Sequence, residues 1–157
     1  MKQLVTAITA LALLLAAGCT SLTSARQPAP GGGVTLEIAI DGIDVAEGLV
    51  QVALFDSPEG FPGEGGGVVR LAEVPAEGDA VQVTFTDLAP GRYAVSVYHD
   101  RDGNGLLETD RFGRPRERYG TSNNVRGGFG PPTFAAAAFT LDGPLEIGIT
   151  LVRLGED

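Results

Sequence analysis

An acidic stretch of twelve residues contains the side chains whose types and spacing are best suited to chemistry. It reads HDRDGNGLLETD over residues 99–110 and includes the only histidine of the chain. Asp100, Asp102 and Asn104 alternate with other residues, and Gly105 follows them. The same residue types stand at positions 1, 3, 5 and 6 of the EF-hand loop, where a tight turn points alternate oxygen ligands at one cation. The spacing therefore predicts a loop that binds a hard cation.

The rest of the stretch departs from the EF-hand pattern. Position 12 of an EF-hand carries a bidentate glutamate, and Arg111 stands there in this sequence. The nearby acids Glu108 and Asp110 can supply oxygens instead, and because every ligand is an oxygen we expect a shorter calcium loop between strands. The alternative is a solvated hairpin turn without an ion. The predicted ligands are the side chains of Asp100, Asp102, Asn104 and Glu108 and the carbonyl of Leu106, with Asp110 as a substitute.

A second polar segment, residues 114–134, is long, glycine-rich and irregular. Long loops of this kind are often functional, and its aromatic rings and amides suit a sugar or a peptide. Glu117 or Asn123 could also fold back to complete the cation shell or to cap His99. In the alternative interpretation, its Asn and Ser side chains hydrogen-bond to their own backbone. The candidate ligand-binding residues are His99, Glu117, Tyr119, Ser122, Asn123, Asn124, Arg126 and Phe129.

The sequence offers little for catalysis. His99 and Asp100 are adjacent, so strand alternation points their side chains apart. No nucleophile-elbow motif accompanies a serine, and a zinc site is not expected with one histidine and one cysteine. We therefore expect no enzymatic activity. A hydrolase that uses two acids of this region, such as Glu108 and Glu117, is the remote alternative.

The elements that must position these loops are strands, because apolar residues alternate with polar ones in seven runs. A polar face on each run indicates antiparallel sheets packed on one side. We predict an all-β fold, an antiparallel two-sheet sandwich of about seven strands with one long irregular loop. Ala135–Ala138 fits either a helical turn or the entry to a strand. The predicted strands are residues 34–40, 49–55, 68–74 (an edge strand), 81–86, 92–99, 137–141 and 145–152.

The N-terminal segment is predicted to export and tether the domain rather than to join it. Residues 1–18 carry a positive charge and an apolar run, as in a signal peptide, and AAGC resembles a bacterial lipobox with Cys19 as the lipidated residue. Residues 19–33 are small, polar and rich in proline and glycine, which is typical of a flexible tether. Residues 34–155 then form the β-sandwich domain. The alternative is an ordinary secretory signal cut after TSA at residues 23–25.

The charge of the chain and its predicted export restrict the classes of partner that it can bind. The formal net charge is −9 and Lys2 is the only lysine, so the chain lacks the basic stripe that nucleic-acid binding requires. A lipid anchor implies an exported protein on the periplasmic face of the cell envelope, and Thr20 favours the outer membrane if the cell is Gram-negative. The expected partners are the membrane, through the anchor, and an envelope protein, a glycan or a peptide.

Residues 85–134 resemble the bacterial family known as domain of unknown function 2141. The segments LAPGRYAVSVYHD, NG, GRPRE, YGTSNN and GPPTF stand in the order of the family's recurring motifs. The resemblance implies an exported, β-rich domain and assigns no activity. The LAPGRY turn is also similar to that of transthyretin-like and collagen-adhesin B-type sandwiches. The family's usual Asn, Asp, Gly and Phe are replaced, with no loss of an oxygen ligand, at Asp102, Glu108, Arg118 and Thr121.

Two functions fit the sequence. The first is a non-catalytic lipoprotein domain that calcium rigidifies and whose 114–134 segment binds a glycan, a peptide or an envelope partner. The second is a purely structural envelope lipoprotein, in which the cation only joins loops and no small ligand binds. An exposed ring of Tyr119 or Phe129 in a concave groove would favour the first, and burial of both rings would favour the second.

Overall fold

The alternating apolar residues form eight strands in the part of the chain that the computed structural model describes, residues 32–63, 65–127 and 130–156. The chain divides into residues 1–30 and 31–157, and every described residue belongs to the second unit. The predicted signal peptide, Cys19 and Phe129 lie outside the described residues. The strands are β1 (Val34–Asp41), β2 (Leu49–Phe55), β3 (Val68–Pro75), β4 (Ala80–Leu88), β5 (Gly91–Asp100), β6 (Tyr119–Thr121), β7 (Phe139–Leu141) and β8 (Leu145–Thr150).

The strands form two sheets, which confirms the all-β class and the two-sheet arrangement. A three-stranded sheet has the order β4-β1-β8, and a five-stranded sheet has the order β3-β2-β5-β6, with β7 paired to β5. The predicted edge strand, β3, does lie at a sheet edge. One short α-helix, α1 (Phe134–Ala137), and one 3-10 turn (Ser122–Asn124) are also present. The alanine run thus contributes a helical turn and not the entry to a strand.

One pairing differs from the antiparallel prediction. β1 and β8 run parallel, with Leu36 opposite Leu145 and Asp41 opposite Thr150, whereas the other paired strands are antiparallel. Alternation shows which face of a strand is buried and carries no information on its direction. The chain leaves the five-stranded sheet after β7 and enters the other sheet alongside β1, so the parallel pair is a product of this crossing.

The core lies between the sheets and is built from the apolar faces of the central strands. Leu36, Ile38 and Ile40 of β1 are at most 1% exposed and pack in one cluster with inward residues of β2 and β5. Burial of each aliphatic side chain stabilises the fold by roughly 1.5–3 kcal/mol. The core thereby fixes which residues of β5 point inward and which point to the outer face of the five-stranded sheet.

A smaller apolar cluster covers one end of that outer face. Phe61 packs edge-to-face against Phe55 and Phe134, with ring centroids 5.1 and 5.9 Å apart. Ala94 of β5 is fully buried in the same cluster. The remainder of the outer face lies beyond this aromatic cover.

A buried serine fastens α1 to β5. The hydroxyl of Ser122 accepts a hydrogen bond from the N–H of Val95 at 2.9 Å and donates one to the carbonyl of Ala137 at 2.7 Å. Ser122 and Ala137 are both fully buried, so no solvent replaces these bonds. The predicted long irregular loop is therefore anchored in the fold at this residue.

Replacing Ser122 by alanine should lower the free energy of unfolding by about 1–3 kcal/mol, because a buried N–H and a buried carbonyl lose their partner. Urea unfolding followed by circular dichroism measures the change. Thr84→Ala, at an exposed position of β4, is the control and should cost less than about 1 kcal/mol. Equal losses in the two variants would contradict the anchoring role of Ser122.

Candidate functional site

Three carboxylates converge at the end of β5. Oxygen atoms of Asp100, Asp102 and Glu117 all lie within 4.8 Å of one another. Asp100, the last residue of β5, is fully buried, Glu117 is 5% exposed, and Asp102 is exposed. Carboxylate oxygens at this spacing could together hold a metal ion, and we call these three residues the acidic cluster.

The strand register brings Glu117 to the cluster. β5 and β6 are antiparallel, with Tyr98 opposite Tyr119. Two places further along each segment, Asp100 and Glu117 stand opposite one another on the same face. Residues 101–116 therefore form a loop whose two ends are flanked by Asp100 and Glu117.

Backbone N–H groups hold the carboxylate of Asp100. Gly103 and Asn104 donate to its Oδ1 at 2.9 and 3.1 Å, and Gly105 donates to its Oδ2 at 2.7 Å. Burial raises the pKa of Asp100, but these hydrogen bonds outweigh it and hold the pKa below the ordinary value. Gly105 turns the loop with φ +77°, a conformation that glycine adopts without strain. Asp100 is thus an ionised, fixed acceptor at neutral pH.

Glu117 ties the two ends of the loop together. Its Oε1 accepts from the N–H of Arg101 at 3.0 Å and its Oε2 from the N–H of Glu108 at 3.1 Å. Asp102 accepts from the backbone and side-chain nitrogens of Asn104 at 3.2 and 3.0 Å. Because an ionised carboxylate offers about four lone-pair sites, each acid of the cluster keeps capacity for a cation.

Two of the predicted ligands, Asp100 and Asp102, are members of the cluster. Asn104 stands beside it, and its Oδ1 accepts from the N–H of Leu106 at 2.7 Å. Leu106 follows in the exposed part of the loop, with its side chain 59% exposed. The first half of the EF-hand spacing therefore does bring oxygen-bearing side chains together around one turn.

The second half of the predicted ligand set is arranged differently. The side chain of Glu108 is exposed and outside the cluster, and its backbone N–H is bound to Glu117. Asp110 closes a separate turn, where its Oδ1 accepts from the N–H groups of Phe112 and Arg114 at 2.8 and 3.0 Å. Glu117 takes the place expected for these two acids, because strand pairing and not loop spacing supplies the third carboxylate.

His99 is buried on the opposite face of β5. Its Nε2–H donates to the carbonyl of Glu47 at 2.7 Å, and its backbone N–H donates to the carbonyl of Arg118 at 2.9 Å. Its Nδ1 lies 3.7 Å from Oδ1 of Asp44 and has no hydrogen-bond partner among the described residues. His99 therefore joins the loop before β2 to the end of β5, away from the acidic cluster.

An ion-pair network on this face went unpredicted. Oδ2 of Asp44 lies 3.3 Å from Arg118 and 3.1 Å from Arg153, and Arg118 also pairs with Glu156 at 2.9 Å. Burial raises the pKa of Asp44, but the hydrogen bond and charge of Arg118 and the charge of Arg153 hold it below the ordinary value. The four residues come from three distant segments, with Arg153 and Glu156 in the same one, so no local pattern marks the network. The network holds Arg118, the neighbour of Glu117, in place.

Most predicted ligand-binding residues of the 114–134 segment bond to the fold itself. Ser122 anchors α1, and Asn123 donates to the carbonyls of Ala136 and Ala138, in and just after α1, at 3.1 and 3.2 Å. Asn124 accepts from a backbone N–H of β8 at 2.8 Å, and Arg126 donates to a carbonyl near the C-terminus at 2.9 Å. These four side chains therefore have structural partners, but the partners belong to β5, α1 and the residue after it, β8 and the C-terminal segment, and not to the loop's own backbone as the alternative interpretation expected.

Tyr119 is different, because it lines a groove on the outer face of the five-stranded sheet. Tyr98 and Leu107 line the same groove, and the hydroxyl of Tyr98 donates to the carbonyl of Gly105 at 2.9 Å. The groove therefore borders the loop that carries the acidic cluster. It was not predicted, since the sequence does not show which outward positions remain uncovered.

Comparison with known proteins places the chain among bacterial proteins. A family model described as an uncharacterized protein conserved in bacteria (DUF2141) matches residues 38–147, which include the whole acidic stretch. Neither the curated proteins nor the solved structures contain a match to the chain. No helix in the described part of the chain is both long and apolar enough to cross a bilayer.

Asp100→Asn should destabilise the protein at neutral pH and much less in acid. The pKa of Asp100 is lower in the folded state, so its carboxylate adds stability above about pH 3.9, which is lost as the pH falls through the folded-state pKa. Urea unfolding in EDTA at about pH 7 and about pH 2 measures the difference from wild type. Asp142→Asn, in an exposed turn, controls for loss of one carboxylate. A pH-independent difference for Asp100→Asn would refute this role.

Proposed function

The chain belongs to the DUF2141 family of uncharacterized bacterial proteins, and we propose that it is a non-catalytic binding module whose acidic cluster binds calcium. The observation that carries the proposal is the convergence of three carboxylates within 4.8 Å from both ends of one loop. Two of the three are buried, and buried charges are costly without a partner of opposite charge. A divalent cation supplies that partner.

Calcium is the ion that the cluster suits best. Ionised carboxylates at this separation near a protein surface repel one another by an energy on the order of a few kcal/mol per pair, and a divalent cation bound between them would remove that repulsion. Calcium accepts roughly six to eight oxygens in variable geometry, whereas magnesium requires a near-ideal octahedron. Three carboxylates, the neighbouring Asn104 and water offer such a flexible oxygen shell.

The groove supports a binding module over a purely structural protein. Tyr119 lines a concave surface, as expected for a binding module, but it is half-buried, between the exposed ring that would favour binding and the buried ring that would favour a structural role. The environment of His99 supports a non-catalytic role, because its ring is fully buried and its Nε2–H is bound to a carbonyl. The remote hydrolase alternative has no comparable support.

We extend the proposal to location on the basis of the sequence. The lipobox pattern before Cys19 and the proline- and glycine-rich segment after it support an exported domain held at the cell envelope by a lipid. Modules outside the cytoplasm meet abundant calcium, so an affinity on the order of 0.1–1 mM suffices. An envelope protein, a glycan or a peptide is the class of partner proposed at this location.

Calcium should raise the melting temperature of the wild-type protein, because an ion that binds only the folded state stabilises it. At about 100-fold saturation the gain is about 2.7 kcal/mol. Differential scanning calorimetry in excess calcium and in excess EDTA measures the shift. Equal melting temperatures in the two buffers would reject the cation site.

Variants identify which acids bind the ion. Asp102→Ala and Glu117→Gln should lose most of the calcium-dependent shift, whereas Asp110→Asn and Asp142→Ala should keep it. Glu117→Gln preserves the shape of the side chain, so a lost shift reports the charge. A shift lost in Asp110→Asn but kept in Glu117→Gln would make Asp110, the substitute ligand expected from the sequence, the third acid in place of Glu117.

Cys19→Ala should release the protein from the membrane fraction of its host cell, because the variant lacks the thiol that carries the lipid. Cell fractionation followed by immunoblotting measures the distribution. Ser21→Ala, two residues away, should remain with the membranes. If Cys19→Ala and wild type fractionate alike, the proposed lipid anchor is wrong.

A further inference from the structure

The groove on the five-stranded sheet has a floor of small side chains. Leu71, Ala53, Ser96 and Thr121 lie side by side across β3, β2, β5 and β6. Alternation places them on the outer face, opposite the core. Since the three residues beyond Leu71 are short, the floor is recessed, and the groove above it has a volume of about 860 Å³. This size falls in the range of sites that enclose a small molecule, roughly 300–1,000 Å³.

The walls of the groove expose apolar side chains. Leu71 is 74% exposed, Phe112 65% and Leu154 43%, and all three line the groove. They come from an edge strand, from the loop after β5 and from the C-terminal segment. Large apolar side chains exposed together around one concavity mark an interaction site. The groove therefore fits an apolar ligand.

The rim of the groove carries positive charge in a protein that is otherwise acidic. Arg114 lines the groove and Arg111 precedes the lining residue Phe112, whereas the whole chain has a net charge of −9. The guanidinium groups of Arg111 and Arg114 lie 4.8 and 5.2 Å from the ring centroid of Phe112. Two cations thus flank the aromatic ring at the rim, where they complement a negative charge.

Besides the acidic cluster on the neighbouring loop, two acids lie near the groove and restrict where a negatively charged group can bind. Glu73 accepts a hydrogen bond from Gln51 at 2.7 Å on the β3 side. Asp110 pairs with the Nε of Arg114 at 3.6 Å, and the two terminal nitrogens of a guanidinium can bind an acidic group bidentately. The arginine side therefore suits an anion and the Glu73 side does not.

We propose that this groove binds the acyl chain of a free anionic amphiphile, whose acidic head group contacts Arg111 and Arg114. A single flexible chain fits a recessed apolar floor, and the guanidinium pair fixes its orientation. The lining of the groove is more apolar than polar, so an aliphatic chain is favoured over a glycan, whose recognition depends on hydrogen bonds. The ligand class is thus one aliphatic chain that ends in a phosphate or a carboxylate.

The amphiphile site is separate from the acidic cluster and needs no cation for its own contacts. Leu107 belongs to the loop and lines the groove, so calcium can change the affinity without supplying a ligand atom. Measurements in EDTA test the groove alone, and repeats in excess calcium show its dependence on the loop. Failure of calcium binding and failure of amphiphile binding are therefore distinguishable.

Isothermal titration calorimetry with lysophosphatidylglycerol, kept below its micelle concentration, tests the proposal. The protein is the chain from residue 20 onward, which retains the whole unit of residues 31–157 and carries no lipid of its own. We expect saturable binding of one molecule per chain. Lysophosphatidylcholine, with the same tail and no net charge, should bind about tenfold more weakly, because its choline cation is repelled by the two guanidinium groups and offsets the attraction of its phosphate.

Matched variants separate the head-group contact from the floor. The double variant Arg111→Gln and Arg114→Gln should lose the preference for the anionic lipid, while the control Arg70→Gln and Arg92→Gln, with the same change in charge, should keep it. Ala53→Leu fills the floor and should abolish binding of both lipids, with thermal unfolding used to verify its fold. The proposal is overturned if no saturable binding occurs, if the two lipids bind wild type equally, or if only phosphatidylglycerol vesicles bind.

Discussion

The end of β5 buries two polar side chains on opposite faces of one strand, and the site depends on satisfying both. His99 and Asp100 are each fully buried, and a buried polar group left unpaired costs free energy. On the inner face the carbonyl of Glu47 accepts from His99, and on the outer face three N–H groups of the loop donate to Asp100. The hydrogen bonds of His99 and Asp100 thus fix two irregular segments, one before β2 and one after β5, to the end of the same strand.

The returning segment repeats this alternation and keeps the acidic cluster negative. Glu117 faces the cluster, and Arg118, the next residue, faces the other way and pairs with Asp44. The hydrogen bond from His99 to the carbonyl of Arg118 fixes the two segments in register. Because successive side chains of an extended segment point to opposite faces, the charge of Arg118 does not neutralise its sequence neighbour. The cluster therefore retains an excess of negative charge that a cation can balance.

The features of the fold and of the site that could be predicted are those whose sequence signal lies within one short segment. Asp100 and Asp102 could be predicted because their spacing is a property of one turn, and the strands could be predicted because alternation is a property of each run. β6 (Tyr119–Thr121) has three residues, too few to show alternation. Without β6 the register that sets Glu117 opposite Asp100 is invisible, so the sequence offers Glu117 only as one of two residues that could fold back, and Glu108 and Asp110 are the nearer acids in the loop. The same reasoning explains why the parallel β1–β8 pair and the Asp44 network required the structure.

Residue type alone does not distinguish an amide side chain that bonds to the fold from one that binds a ligand. The position of a residue on a sheet face is more informative. Asn123 and Asn124 have the chemistry of ligand contacts but are used by neighbouring backbone groups. The outer face of β5 shows how position decides, since its alternate residues meet different surroundings in turn. Ala94 is covered by the aromatic cluster, Ser96 and Tyr98 line the open groove, and Asp100 enters the acidic cluster. The alternate residues of β5 thus place an apolar groove and an acidic site next to one another, and the loop after β5 borders both.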